Sequence, residues 1–221
     1  MGRFKPKDIP KIVAILRREY RKWKMPSVTH TAKRSRDPFK VLISTILSLR
    51  TKDETTSVAS KRLFKMADNP RDMLALSPDE IENAIYPVGF YRNKTKIIRE
   101  VCETLIEKYD SRVPDEIDEL LKLKGVGRKT ANLVVTLGYG KPGVCVDTHV
   151  HRISNRWGYI KTKTPFETEM ALRERLPERY WVDYNSLLVA FGQTICRPIS
   201  PKCNECPIET SCEKVGVIRN R

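Results

Sequence analysis

The sequence predicts an all-α protein of 221 residues. Apolar residues recur at spacings of three and four through most of the chain, which is the period of an amphipathic helix. No segment shows a sustained alternation of apolar and polar residues, the pattern of a half-buried strand. Hydrophobic residues make up 40% of the chain, which favours a packed core over disorder.

The predicted helices follow one another with short breaks. Ile12, Val13 and Leu16 mark the first apolar face. Residues 25–37 are rich in Pro, Ser, Thr, Lys and Arg and predict a loop. Further helical patterns lie at 39–47, 58–66, 81–85, 97–106, 117–121, 131–135, 147–156, 165–176 and 183–194. The segment Ser77-Pro78-Asp79-Glu80 predicts a helix start, with Ser as N-cap, Pro at N1 and Glu at N3.

The chain is strongly basic, and the excess is uneven. Net charge is +15, and residues 1–40 hold 13 Lys and Arg against 3 Asp and Glu, a net +10. An excess of this size favours a polyanionic partner such as nucleic acid. A soluble basic surface, or the charge-rich surface of a thermophile, would look the same. Charge alone therefore names no chemistry.

The N-terminus and the apolar runs bear on location. No apolar run approaches the roughly 20 residues that span a bilayer. The first residues carry no apolar signal-peptide region, and Pro6 stands where a myristoylation motif needs Ser or Thr. We therefore expect an intracellular protein without a membrane partner.

Four of the six cysteines fall close together near the C-terminus. They are Cys196, Cys203, Cys206 and Cys212, with six, two and five residues between them. Such compact sets hold either an iron–sulfur cluster or zinc. Zinc sites more often have two Cys-x2-Cys knuckles, and one is present here, so the spacing favours iron–sulfur modestly. Cys102 and Cys145 are expected in the core.

A glycine turn lies between two helical patterns at Gly125-Val126-Gly127, with Lys124 before it and Arg128 after it. Glycine tolerates positive φ and leaves the backbone uncovered. Backbone amides at the start of the following helix could bind a phosphate of the DNA backbone without reading sequence. On the turn alone, an ordinary connection between two helices is the better interpretation.

The resemblance to a known family comes from two segments. Leu123-Lys124-Gly125-Val126-Gly127-Arg128-Lys129-Thr130-Ala131-Asn132, followed by Val146-Asp147-Thr148-His149-Val150-His151-Arg152, resembles the helix-hairpin-helix glycosylase superfamily. Within it the chain is most similar to endonuclease III, in an archaeal- or eukaryotic-like form. The resemblance runs from about residue 30 to 214, nearly the whole chain.

The resemblance implies a bifunctional DNA N-glycosylase and AP lyase of base excision repair that acts on oxidised pyrimidines. Lys129 matches the family's attacking amine and Asp147 its catalytic carboxylate. An uncharged amine can attack the sugar C1′ and form a Schiff base, and a carboxylate can stabilise the positive charge that develops there. The partner implied is double-stranded DNA with a damaged or abasic site, bound by a monomer.

The same resemblance assigns the other candidate residues. The four-cysteine spacing is the one that the family uses for a [4Fe-4S] cluster. The loops of this site carry Arg197, Lys202 and Lys214, which could contact DNA phosphates while the cluster fixes their fold. Two lobes are implied: 31–141, which ends with the hairpin, and 1–30 plus 142–221, which holds the cluster.

The hairpin departs from the family pattern at one position. Lys124 replaces a Pro that is frequent in the family and adds a possible phosphate contact.

Two further loops match those that fill the gap left by an extruded base. Arg50 stands where many bacterial members carry Gln, and Phe90 is a candidate apolar wedge, although core packing fits a lone Phe nearly as well. Asp53 lines the pocket or caps the next helix. For His149 and His151, structural hydrogen bonds are the better interpretation, because two positions apart on a helix they face different directions.

Other functions stay open at this point. A mismatch glycosylase for thymine or uracil opposite guanine is the first alternative, although relatives that only cut the glycosidic bond usually lack Lys at the position of Lys129. A non-enzymatic DNA-binding scaffold would not need both Lys129 and Asp147. A zinc-binding transcription factor is a more distant alternative.

Overall fold

The structure, a computed structural model, describes residues 4–221, and every regular element in that range is helical. The all-α prediction is confirmed. The α-helices are α1 (Ile9–Glu19), α2 (Ser27–Ser35), α3 (Pro38–Ser48), α4 (Asp53–Met66), α5 (Pro70–Ala75), α6 (Pro78–Ile85), α7 (Tyr91–Tyr109), α8 (Ile117–Leu120), α9 (Arg128–Leu133), α10 (Thr148–Arg156), α11 (Pro165–Arg175) and α12 (Trp181–Thr194). Within the described residues no helix combines the length and the apolar character that a membrane crossing needs.

The chain divides into two compact units. One is Ser27–Gly143, and the other combines the N-terminal residues up to Pro26 with Val144–Arg221. The lobes implied by the resemblance, 31–141 and 1–30 plus 142–221, have slightly different boundaries and stay a prediction. Residues 1–3, including the Met1-Gly2 start, lie outside the described residues.

Helix α3 is the centre of the unit Ser27–Gly143. It is apolar on almost every side, and Leu42, Ile43, Ile46 and Leu47 are at most 1% exposed. A helix of this kind is stable only when neighbours cover it all round, and α2, α4, α7 and α9 pack against it. Cys102 on α7 is fully buried in the same core, as predicted.

Local capping fixes where several helices begin. The Ser77 hydroxyl oxygen accepts a hydrogen bond from the Glu80 amide, and the Glu80 carboxylate accepts one from the Ser77 amide, so the capping box predicted at α6 is confirmed. Asp37 caps α3 without such a reciprocal pair, because its carboxylate accepts from the amides of Phe39 and Lys40. Each such cap contributes about 1 kcal/mol, and a Pro at N1 adds its preset φ angle.

The loop predicted for residues 25–37 is wrong over most of its length, because Ser27–Ser35 forms α2. The carboxylate of Asp53, 26 residues further on, binds the Ser27 amide at 3.0 Å and the Ser27 hydroxyl at 2.7 Å. Val28 and Ala32 then pack into the core. Asp53 therefore caps α2 rather than the next helix, α4.

The second unit has its own core, built on α1, α10 and α12. Trp157, Tyr184 and Phe191 are its largest fully buried side chains, and Leu16 of α1 packs with them. Cys145 is 2% exposed, so its predicted core position is confirmed.

Candidate functional site

The glycine turn connects α8 to α9 through two backbone hydrogen bonds. Leu123 N donates to Leu120 O at 3.1 Å, and Val126 N donates to Leu123 O at 3.1 Å. Gly125 has φ +71°, and a β-carbon there would lie 2.9 Å from the Ile97 side chain. Glycine is thus required at 125 both by conformation and by space.

The side chains of the turn differ in what they can contact. Val126 is 7% exposed and packs into the core, so only its backbone is available to a ligand. Lys124 is exposed and lies 3.5 Å from Glu100. Arg128 and Lys129 occupy the first turn of α9 and are half-buried. Gly127 is the N-cap, so the first amides of α9 have no partner within the helix itself.

Asp147 begins the short helix α10 in the second unit. Its Oδ1 atom accepts from the amides of His149 and Val150, both at 2.9 Å. Both capping bonds end on Oδ1, and within the described residues no hydrogen bond reaches Oδ2. The carboxylate can therefore cap the helix with one oxygen and keep the other for chemistry.

The two histidines of α10 make structural hydrogen bonds, as predicted. His151 Nδ1 lies 2.7 Å from Thr168 Oγ1. His149 Nδ1 lies 3.1 Å from the Arg152 guanidinium. Arg152 also donates to the carbonyl of Cys196 at 2.9 Å, which links α10 to the four-cysteine loop.

Arg50 and Phe90 are both displayed on the surface of the unit Ser27–Gly143. Phe90 is 63% exposed, so the core-packing interpretation is wrong. Both residues have left-handed backbones, with φ 53° at Arg50 and φ 58° at Phe90. The Arg50 guanidinium lies 5.8 Å from the centre of the Phe90 ring. An exposed aromatic ring paired with a cation is well suited to stacking on bases.

The sequence predicts Lys94 to be a contact to the DNA backbone or part of a solvated loop, and both interpretations are wrong, because Lys94 is buried and its ammonium hydrogen-bonds to the segment around Arg50. The signal was present in the sequence. Lys94 occupies the same stripe of α7 as Ile98, Val101 and Leu105, all fully buried. A lysine on a buried apolar stripe requires polar partners.

The four clustered cysteines line one cavity of about 20 Å³. Two N–H groups point at their sulfurs: Arg156 Nη1 lies 3.4 Å from Cys196 Sγ, and the Lys214 amide lies 3.3 Å from Cys212 Sγ. Burial raises the pKa of Cys206 to about 12 and raises the pKa of Cys196 and of Cys212. In the described residues no group of three or more His, Cys, Asp or Glu has the geometry to hold a single metal ion.

The basic residues of this loop are not equivalent. Arg197 is exposed, and its carbonyl accepts from the buried Arg156 at 2.8 Å. Lys202 is held by both carboxylate oxygens of Glu205, at 2.9 and 3.0 Å. A phosphate would have to compete with Glu205 for Lys202. Within the described residues Arg197 forms no ion pair that a phosphate would have to displace.

Comparison with known proteins assigns a class to this arrangement. Residues 43–178 match the family model described as "HhH-GPD superfamily base excision DNA repair protein". Endonuclease III from Thermotoga maritima is 50% identical over 190 residues, which is 84% of this chain and 89% of that protein.

Two solved structures are also similar. "Structure of a Trapped Endonuclease III-DNA Covalent Intermediate: Estranged-Adenine Complex" matches with TM-score 0.83 and 34% identity, over 96% of this chain and 97% of that one. "Structure of a thermostable thymine-DNA glycosylase" matches with TM-score 0.72 and 26% identity, over 84% and 92% of the two chains.

The fold and the family model define a helix-hairpin-helix protein of base excision DNA repair. The relatives narrow the class, and the chain belongs to the endonuclease III family. It is accordingly a DNA glycosylase of base excision repair, and AP lyase activity is typical of that family.

Proposed function

We propose that this enzyme removes oxidised pyrimidines from double-stranded DNA and then cuts the strand on the 3′ side of the abasic site, with Lys129 as the nucleophile. The observation that carries the proposal is a lysine in the first turn after a glycine hairpin, in a chain 50% identical to an endonuclease III. A relative of this family is described as trapped in a covalent complex with DNA.

The proposed reaction begins when the neutral Lys129 amine attacks the deoxyribose C1′ and the base leaves with a proton. The nitrogen then forms a Schiff base with C1′ as the sugar ring opens. Loss of a proton from C2′ expels the 3′ phosphate by β-elimination, and water releases the enzyme amine. Asp147 stabilises the positive charge on the sugar and assists proton transfer with the oxygen that does not cap α10.

A panel of single-lesion duplexes tests the function directly. Thymine glycol, 5-hydroxycytosine and dihydrouracil should each give base release together with a nick. Duplexes with thymine or uracil opposite guanine belong in the same panel, because mismatch repair is the second candidate and a thymine-DNA glycosylase is among the structural matches. If the enzyme released bases from these mismatched duplexes and from none of the oxidised-pyrimidine duplexes, mismatch repair would replace the first proposal.

The hairpin is proposed to bind the DNA backbone through the amides at the start of α9, with Lys124 and Arg128 beside them. The two glycines offer a matched test. A β-carbon at Gly127 has no atom within 4 Å, and its φ of −98° suits any residue. Gly127→Ala should therefore fold normally but crowd the phosphate, lowering affinity about tenfold on every DNA sequence.

Gly125→Ala should act on stability instead, because it places a β-carbon 2.9 Å from Ile97 at φ +71°. A side chain in the left-handed region costs about 1 kcal/mol before any clash. The measurements are DNA affinity by anisotropy and thermal unfolding of both variants. Unaltered DNA affinity in Gly127→Ala would count against the hairpin as a backbone clamp.

The four cysteines are proposed to hold a [4Fe-4S] cluster. All four line one cavity, and burial disfavours four free thiolates unless positive charge compensates them. Cys196, Cys203, Cys206 and Cys212 would hold the cluster, and the N–H groups of Arg156 and Lys214 would donate to its sulfur ligands. Cys196 and Cys203 flank Arg197 and Lys202, so a cluster bound by these two cysteines would restrain the segment that carries both basic residues.

Purified protein should be yellow-brown and contain about four irons per chain. Cys203→Ala should lose the colour and the iron, since it removes one of the four ligands. Cys102→Ala is the matched control, because Cys102 is equally buried but lies in the other unit. Colourless wild-type protein that carries one zinc would contradict the cluster. A monomeric state and an intracellular location stay predictions from the sequence.

A further inference from the structure

Lys94 is a buried cation near the start of α7. It is 4% exposed, and its ammonium donates to Leu47 O at 2.8 Å, Leu49 O at 2.6 Å and Thr51 Oγ1 at 3.1 Å. Burial lowers its pKa to about 8, so it is mainly charged at neutral pH. All three of these partners are neutral oxygens. Burying a charge without an opposite charge costs free energy. Other favourable interactions must offset that cost.

The partners of Lys94 offset part of this cost of burial. Helix α3 ends at Ser48, so the carbonyls of Leu47 and Leu49 lie at its C-terminal end, where they lack helical partners. A cation there also interacts favourably with the negative end of the helix dipole. The Lys94 amide in turn donates to Phe90 O at 3.0 Å. That backbone bond is the first of α7 and needs no lysine, so what the side chain adds is the attachment of the segment around Arg50 to the start of α7.

Thr51 completes the connection between the two segments. Its hydroxyl donates to Leu49 O at 3.2 Å and accepts from Lys94 and from the Gly89 amide, the latter at 3.2 Å. Its one donor and both acceptor positions are therefore used. A β-carbon at Gly89 would lie 2.7 Å from Arg50 O, so the two backbones touch at this point.

Arg50 and Phe90 are each held from both sides by this network. Leu49 and Thr51 flank Arg50, while Gly89 precedes Phe90 and the Lys94 amide binds the Phe90 carbonyl. A left-handed backbone at a residue other than glycine costs about 1 kcal/mol or more. Two such residues side by side persist only where their surroundings hold them, and the bonds of Lys94 and Thr51 are those surroundings.

We propose that Lys94 is a positioning residue for nucleotide extrusion: from its place in the first turn of α7, its ammonium holds the segment around Arg50, so that Arg50 and Phe90 enter the base stack as one preformed unit. This inference rests on the proposed function, which gives those two residues the task of filling the gap. Lys94 itself is buried and acts through them. Pre-organisation of this kind saves the cost of ordering both loops when the base is extruded.

The test compares Lys94→Met with Lys108→Met. Methionine has a similar length but no charge or donor, and Lys108 is an exposed lysine at the far end of the same helix. A 2-aminopurine placed opposite a thymine glycol reports unstacking by fluorescence, and single-turnover base release is measured on the same duplex. Lys94→Met should reduce both by about tenfold to a hundredfold, a loss typical of misplaced groups. Lys108→Met should match wild type.

Introducing Lys94→Met into a variant that already lacks the Arg50 and Phe90 side chains separates a positioning role from a general loss of structure. In Arg50→Ala/Phe90→Ala protein, the added Lys94→Met change should slow base release by less than about twofold, because its effect passes through the removed side chains. An equal effect of Lys94→Met in both backgrounds would overturn the inference. So would a wild-type rate in the Lys94→Met single variant.

Two controls keep the result decisive. If Lys94→Met does not fold, Thr51→Val removes the bridging hydroxyl at nearly constant volume, and it should show a smaller loss of the same two signals. Wild-type rates in Thr51→Val would then count against the network. Wild-type enzyme that releases no base from any duplex contradicts the proposed function itself, whereas active wild type with an equally active Lys94→Met contradicts only the role of Lys94.

Discussion

Lys129→Ala should abolish covalent trapping by borohydride on thymine-glycol DNA and slow strand cutting on the order of 10³-fold or more. Borohydride reduces the imine between the enzyme amine and the sugar C1′ to a stable amine, so the trapped complex reports the Schiff base. Alanine has no amine, and the proposed route to both products starts from that nitrogen. DNA affinity should change far less, because most backbone contacts remain.

The matched control is Lys122→Ala. Lys122 is an exposed lysine just before the hairpin and pairs with Glu119 at 2.6 Å. The substitution Lys122→Ala removes one positive charge near the hairpin, as Lys129→Ala does, but leaves the first turn of α9 unchanged. Trapped complex should form at the wild-type level in this variant. Trapping that survives in Lys129→Ala would assign the nucleophile to another amine and would remove the central claim of the mechanism.

Asp147→Asn should keep the fold and the DNA affinity but lower turnover by about 10²- to 10⁴-fold. Both capping bonds end on Oδ1, and an Asn side chain offers the same acceptor to the two amides. What it lacks is the negative charge that stabilises the developing positive charge on the sugar. Single-turnover rates and thermal unfolding together distinguish the chemical loss from a structural one.

Asp37 provides a control, because it is an aspartate N-cap of the same kind. Its Oδ1 also accepts from two amides at a helix start, those of Phe39 and Lys40. Asp37→Asn should therefore leave both turnover and unfolding near wild type. Asp147→Ala should differ from Asp147→Asn by a further loss of about 1 kcal/mol in unfolding free energy, because the cap is gone. Unchanged turnover in Asp147→Asn would refute the catalytic assignment.

Predictions from sequence succeeded where the signal lies within a few residues. The capping box at Ser77 and Glu80 spans four positions, and the apolar stripe of α3 repeats every three or four. The glycine turn is equally local, since a positive φ at Gly125 is a property of one residue. Such features need no knowledge of the rest of the chain.

The loop predicted at 25–37 shows where that reasoning ends. The segment Ser27–Ser35 has polar and β-branched residues of modest helix propensity. It becomes α2 because Asp53 caps it from 26 residues away and because the core accepts Val28 and Ala32. Neither cause is visible at the helix itself.

By itself, the sequence determined the helical class, the Gly-Val-Gly turn with Lys129 behind it, and the spacing of the four cysteines, because each depends on neighbours along the chain. Only the tertiary structure decided that Phe90 is exposed, that Arg50 lies beside it, and which oxygens accept from the ammonium of Lys94. Exposure depends on which helix faces meet, and the acceptors of Lys94 come from residues 43 to 47 positions away. Spacing along the chain carries no record of such distant partners.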